Sequence, residues 1–109
     1  MNLKNYCTIL LFLCATKLES QYIRFIFHPS EDMVSCSQLS QVQKIVQLAD
    51  ENPNKSLVIT GFFKNQDTIA RHRIQTVANL TLSNGIARSR IHQQTVRDPA
   101  KINVVEVSI

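Results

Sequence analysis

Two glycines in 109 residues leave no room for a glycine-rich phosphate loop, and no G-x-S-x-G nucleophile turn occurs. Tryptophan is absent, and no aromatic side chain follows Phe63. The C-terminal part therefore offers no platform on which single-stranded bases could stack. Cysteine is sparse: Cys7, Cys14 and Cys36 form no C-x-x-C pair and no zinc-type spacing. His28, His72 and His92 stand in separate segments, none at metal-ligand spacing with another His, Cys or carboxylate. His72 lies beside arginines on the polar side of a helical pattern and reads as a surface histidine rather than a base. Cys36, near a helix start, reads as a small buried residue rather than a nucleophile, which would need a positioned histidine. These absences argue against an enzyme and imply no metal and no cofactor.

What is present is an ordinary globular composition. At 44% hydrophobic and 18% charged residues the chain has enough apolar material for one modest core and is not disordered. Residues 1–21 differ from the rest. Lys4 supplies a positive region and Ile9 to Leu13 an apolar one, a run too short to cross a bilayer as a helix but suited to a secretory signal. Leu11-Phe12-Leu13-Cys14 resembles a bacterial lipoprotein processing site, which makes Cys14 a candidate for lipidation. Cleavage near Ala15 or Ser20, or an uncleaved N-terminus, are the alternatives. Ala15 after a lipidated Cys14 resembles outer-membrane sorting, and Thr16 to Gln21 would form a short tether.

Residues 22–109 read as one domain. Tyr22 to Phe27 is β-branched and aromatic and predicts a strand with Ile23, Phe25 and Phe27 facing the core. His28 to Asp32 predicts a turn, because Pro29 cannot continue a ladder. Ser35 or Ser37 can cap a helix reaching about Glu51, with Leu39, Val42, Val46 and Ala49 as its stripe and Ile45 and Leu48 broadening it. Leu57 to Phe63 is a nearly continuous apolar run and suits a strand covered on both faces. Lys64 to Gln66 breaks it, and Asp67 or Thr68 can cap a second helix striped by Ala70, Ile74, Val77, Ala78 and Leu82. Asn84-Gly85 stops that helix, and Ile86 packs back. Ser89 to Thr95 predicts a weaker, polar strand, Arg97 to Ala100 a loop, and Ile102 to Ile109 a last strand with Val105, Val107 and Ile109 on one face. The order is β-α-β-α-β-β, an α/β sandwich with two helices on one face of a mixed sheet. Alternating strands and helices favour parallel neighbours among the early strands.

The formal charge is +4, and the excess is local. Between Arg71 and Lys101 stand Arg71, Arg73, Arg88, Arg90, Arg97 and Lys101 against a single acid, Asp98. Such a patch either attracts an anionic partner or is a solvated basic face. Nucleic-acid binding is one reading of it, weakened by the missing aromatics and by an export signal.

The motifs Val58-Ile59-Thr60-Gly61, Arg73-Ile74-Gln75-Thr76-Val77, Asn84-Gly85-Ile86 and Arg90-Ile91, followed by Val104 to Ile109 as a closing strand, resemble the OmpA-like domain of bacterial cell envelopes. The resemblance covers residues 22–109. It implies the same α/β sandwich and peptidoglycan as a ligand. In that family an Asp shortly after the strand's Gly and an Arg of the second helix grip the diaminopimelate of the peptide stem. A zwitterionic end needs a carboxylate for its ammonium and a guanidinium for its carboxylate. Arg73 stands at the family's Arg. The Asp position falls on Lys64, which repels an ammonium, and Asp67 is better used as a helix cap. The stretch from Gly61 to Arg73 is shorter than usual, and the family's paired arginines fall on Asn103 and Val104.

A domain that keeps the core and loses the ligand groups reads as a non-enzymatic scaffold or docking subunit. It would sit on the periplasmic side of the outer membrane through a lipid anchor, in an envelope-spanning complex such as a type IV-like secretion system. The side of the second helix bearing Arg71, His72, Arg73, Gln75 and Asn79 is the candidate partner surface. A peptidoglycan tether using Arg73 is the alternative, and a basic nucleic-acid module a third.

Overall fold

Hydrophobicity decides which strands take the middle of the sheet. A computed structural model describes residues 22–109. Its strands are β1 (Ile23–Ile26), β2 (Leu57–Phe63), β3 (Ile91–Arg97) and β4 (Val104–Ser108); its helices are α1 (Leu39–Glu51) and α2 (Thr68–Ser83). The sheet order is β1-β4-β2-β3. β2 and β4 are buried on both faces and lie centrally, whereas the polar β3 and the alternating β1 form the edges. β2 and β3 are the expected parallel neighbours. β1 and β2 are not neighbours, because β4 inserts between them, antiparallel to both. Placing Val105 and Val107 centrally buries them completely.

One apolar cluster joins Phe25 and Ile23 of β1, Val105 and Val107 of β4, Ile59 and Leu57 of β2, and the inner faces of α1 and α2. Both helices therefore cover the same face. Truncating a fully buried member such as Ile45 or Ile59 to Ala should cost about 2–5 kcal/mol, the usual sum of lost transfer energy and cavity. Gly61 sets how close α2 comes: a Cβ there would stand 2.8 Å from Ile74 Cδ1 and 3.0 Å from the Ala70 carbonyl.

Several local expectations shift by a turn. Ser35 and Ser37 do not cap α1, because a 3-10 turn at Cys36–Gln38 precedes it and the two hydroxyls lie 3.0 Å from each other. That turn rotates the stripe of α1 to Val42, Ile45, Leu48 and Ala49, leaving Leu39 45% exposed and Cys36 on the surface rather than buried. Asp67 takes the N-cap position of α2 without a side-chain cap bond; its Oδ1 pairs with Arg71 Nη2 at 3.4 Å. Thr81 is fully buried on α2 and donates to the Val77 carbonyl, while Leu82 is half-buried. Gly85 has φ +93° and ends α2, with Ile86 buried behind it. A 3-10 turn at Arg88–Arg90 moves β3 two residues later than expected, and another at Pro99–Lys101 delays β4. No helix among the described residues is long and apolar enough to cross a membrane. Residues 1–21, on which the expected signal segment, the candidate lipidation residue Cys14 and the expected tether fall, lie outside the described residues.

Candidate functional site

β2 ends at Phe63, the chain turns through Lys64 to Gln66, and α2 leaves at Thr68. Arg73 sits one turn into α2, three residues after Ala70 and four before Val77. That spacing puts it on the buried face of the helix. It is 3% exposed and so is not part of the exposed side expected to carry it with Arg71, His72, Gln75 and Asn79. Its guanidinium is held by the chain's own acceptors. Nε donates to the Glu31 carbonyl at 2.6 Å, Nη1 to the Ile102 carbonyl at 2.8 Å and Asn103 Oδ1 at 3.3 Å, and Nη2 to the His28 carbonyl at 3.0 Å. The group also stands 5.0 Å from the centroid of the Phe27 ring. Burial lowers the Arg73 pKa and the charge of Asp32 opposes that, and the guanidinium stays a cation.

Beside it opens a cleft of about 380 Å³ whose lining includes Phe62, Lys64, Asn65, Ile69, Arg73 and Asn103. The structure thus brings Lys64 and Arg73 to one cleft, as the resemblance implies. No lining residue is a carboxylate, and the charged side chains that line the cleft are the cations Lys64 and Arg73. Asp67 is not in it. Four of the five guanidinium N–H groups are engaged, which leaves a single hydrogen on Nη2. The side-by-side pair that a carboxylate fork requires is not free.

Arg71 and His72 are exposed on the outer side of α2, where His72 Nδ1 stands 3.8 Å from Asp32 Oδ2. The basic stretch from Arg71 to Lys101 is not a continuous free patch. Arg73 is spent as above. Arg90 Nη2 donates to the carbonyls of Ala49, Asn52 and Lys55 at 2.9–3.0 Å and closes the end of α1. Arg71 is paired with Asp67. Lys101 Nζ lies 3.4 Å from Glu106 Oε2 and 5.0 Å from the Phe62 ring centroid.

Glu106 escaped sequence reading. It is 7% exposed on the sheet face away from the helices, with Arg24 Nε at 3.0 Å. The register aligns Arg24, Glu106, Thr60 and Gln94 in a polar row across all four strands, and Gln94 Nε2 donates to Thr60 Oγ1 at 3.0 Å. A lone acid inside the apolar run of β4 was the available signal. Among the described residues no three His, Cys, Asp or Glu side chains gather as a metal site.

No family model matches the chain, and no curated protein does either. Solved structures do. The OmpA-like domain of FopA1 from Francisella tularensis is similar at TM-score 0.67 and 15% identity, over 81% of this chain and 70% of that one. A periplasmic domain of Helicobacter pylori MotB gives 0.66 at 12% identity, over 82% and 76%. The peptidoglycan-associated lipoprotein from Burkholderia pseudomallei gives 0.65 at 13% identity, over 84% and 91%. At these identities the likeness is one of fold, and the fold of residues 22–109 is OmpA-like.

Proposed function

We infer that the chain is a non-enzymatic bacterial envelope protein whose OmpA-like domain serves as a scaffold or docking subunit, on the periplasmic side of the outer membrane. One observation carries this reading: the arginine that the family resemblance assigns to ligand is consumed by four acceptors of the chain itself. Lys64 at the Asp position points the same way, because a cationic cleft repels the ammonium of a diaminopimelate end. The names of the similar structures, a periplasmic domain and a peptidoglycan-associated lipoprotein among them, support an envelope location. A narrower version makes the chain a subunit of an envelope-spanning complex such as a type IV-like secretion system. Lipidation of Cys14 would anchor it, and the mass of the mature N-terminus decides between a lipidated Cys14 and simple cleavage.

A peptidoglycan tether is the second reading. The cleft favours it, since Lys64 and Arg73 both line a space of about 380 Å³. Co-sedimentation of the full chain with purified sacculi separates the two. The docking reading expects no saturable pelleting. Saturable pelleting that free diaminopimelate competes away would establish the tether instead.

A further inference from the structure

The two outer edges of the sheet are treated differently. β1 turns the main-chain groups of Arg24 and Ile26 outward, and side chains from the segment before and within α1 answer them. The Gln38 side-chain amide accepts from the Ile26 N–H and donates to the Ile26 carbonyl, as a neighbouring strand residue would. Gln41 Nε2 donates to the Arg24 carbonyl at 3.0 Å. No extended chain can add there without displacing both glutamines.

β3 has no such cover. Among the described residues neither a strand nor a side chain bonds to its outer main-chain groups. The Asp98 N–H donates to the Phe63 carbonyl at 2.9 Å, continuing the parallel ladder. Alternation along that ladder turns the N–H and C=O of Gln93, Thr95 and Arg97 outward. The strand is seven residues long and contains no proline. Along its helix side runs a groove of about 390 Å³ lined by Arg71, Ile74, Gln75, Gln93, Gln94 and Thr95: amides, one aliphatic side chain, one cation and no carboxylate. Arg88 and Arg97 flank the strand at exposed positions with no ion-pair partner among the described residues; Arg97 Nε donates to the Lys64 carbonyl at 2.9 Å, and Arg90 is spent on the end of α1.

We propose that the open edge of β3 docks an extended acidic segment of a partner protein, which adds as a fifth strand and sends carboxylates toward Arg88 and Arg97. Main-chain pairing supplies affinity and the arginines supply selectivity. A second copy fits less well, because each copy brings the exposed Arg88 and Arg97 to the same edge. This deepens the docking reading by naming the partner's chemistry, and it uses a surface apart from the Lys64–Arg73 cleft. Sacculus pelleting reads the cleft and the experiment below reads β3, so the two fail separately.

The test titrates the isotopically labelled full chain with an octapeptide of alternating Val and Glu, and with its Val–Lys counterpart. The expected result is saturable amide shifts centred on Gln93, Thr95 and Arg97, with the Val–Lys peptide at least about tenfold weaker. Thr95→Pro removes an outward N–H and leaves the β2 ladder intact, so it should weaken the Val–Glu peptide about tenfold or more. If that variant does not fold, Arg88→Glu with Arg97→Glu, both at exposed side chains, should give a similar loss. Four results would each overturn the proposal: no shifts at millimolar peptide, equal binding of both peptides, shifts centred on Arg24 to Ile26, or the same β3 shifts arising from self-association without peptide.

Discussion

Arg73 and Arg90 perform the same task at opposite ends of β2. Each is an arginine of the basic stretch, and each spends its guanidinium on main-chain carbonyls from segments distant in sequence. Arg73 gathers His28, Glu31 and Ile102 beyond the Phe63 end. Arg90 gathers Ala49, Asn52 and Lys55 before the Leu57 end, all three through one nitrogen, while its Nε is buried without a partner among the described residues. Arg73 is enclosed, stacked against Phe27 and adjoins a cleft; Arg90 is half-buried and closes a helix end. A guanidinium at a family-type ligand position is therefore no evidence of a ligand until its N–H groups are counted. In this chain the count favours architecture at both ends.

The sharpest way to break the comparison is Arg73→Ala. It leaves three partly buried carbonyls without their donor and removes the buried group that ties two loops to α2, so the expected loss is roughly 2–4 kcal/mol, read as a lower urea midpoint. Arg73→Lys should recover less than half of that, because an ammonium cannot reach acceptors spread around a planar fork. A wild-type midpoint in Arg73→Ala would mean that the carbonyl cage does not hold the fold and would return Arg73 to the ligand reading. Gly61→Ala comes next, at about 1–3 kcal/mol. The added Cβ meets Ile74 and the Ala70 carbonyl and pushes away the helix that carries Arg73. Arg90→Ala should cost less, about 1–2 kcal/mol, because water can reach the end of α1. Amide exchange should then rise in the last turn of α1 and stay unchanged around His28 to Glu31.

Much of this was legible. β2 and α2 follow from a continuous apolar run and a helical stripe, and the end of α2 from Asn84-Gly85, where the structure has Gly85 at φ +93°. The burial of Arg73 was legible too, since its offsets of three and four from Ala70 and Val77 fix its face. A charge was read as surface where the period said core. The partners were not legible. His28, Glu31 and Ile102 approach Arg73 only after β4 has inserted between β1 and β2, and pairing order is a tertiary outcome that no local pattern encodes. The same holds for Gln38 on the β1 edge, whose sequence reads as ordinary helix polarity. Glu106 alternates with Val105 and Val107, which predicts an exposed face; Arg24 and Lys101 cover that face from other elements.

The smallest expected effect asks the most of the comparison. Lys64 is exposed and makes no side-chain bond among the described residues, so Lys64→Asp should change stability by no more than about 0.5 kcal/mol. It restores the carboxylate that the resemblance expects for an ammonium, but it does not free Arg73, whose bonds come from main-chain atoms that the substitution does not touch. If Arg73 is architectural in the sense that Arg90 is, the variant gains no saturable retention on sacculi, because one half of a zwitterion clamp is weak in water. If it does gain retention, the charge at residue 64 was the only barrier, and the Arg73 cage opens readily enough for a ligand carboxylate to displace a carbonyl. The two arginines would then differ in kind, one a fixed clamp and the other a ligand group held in reserve.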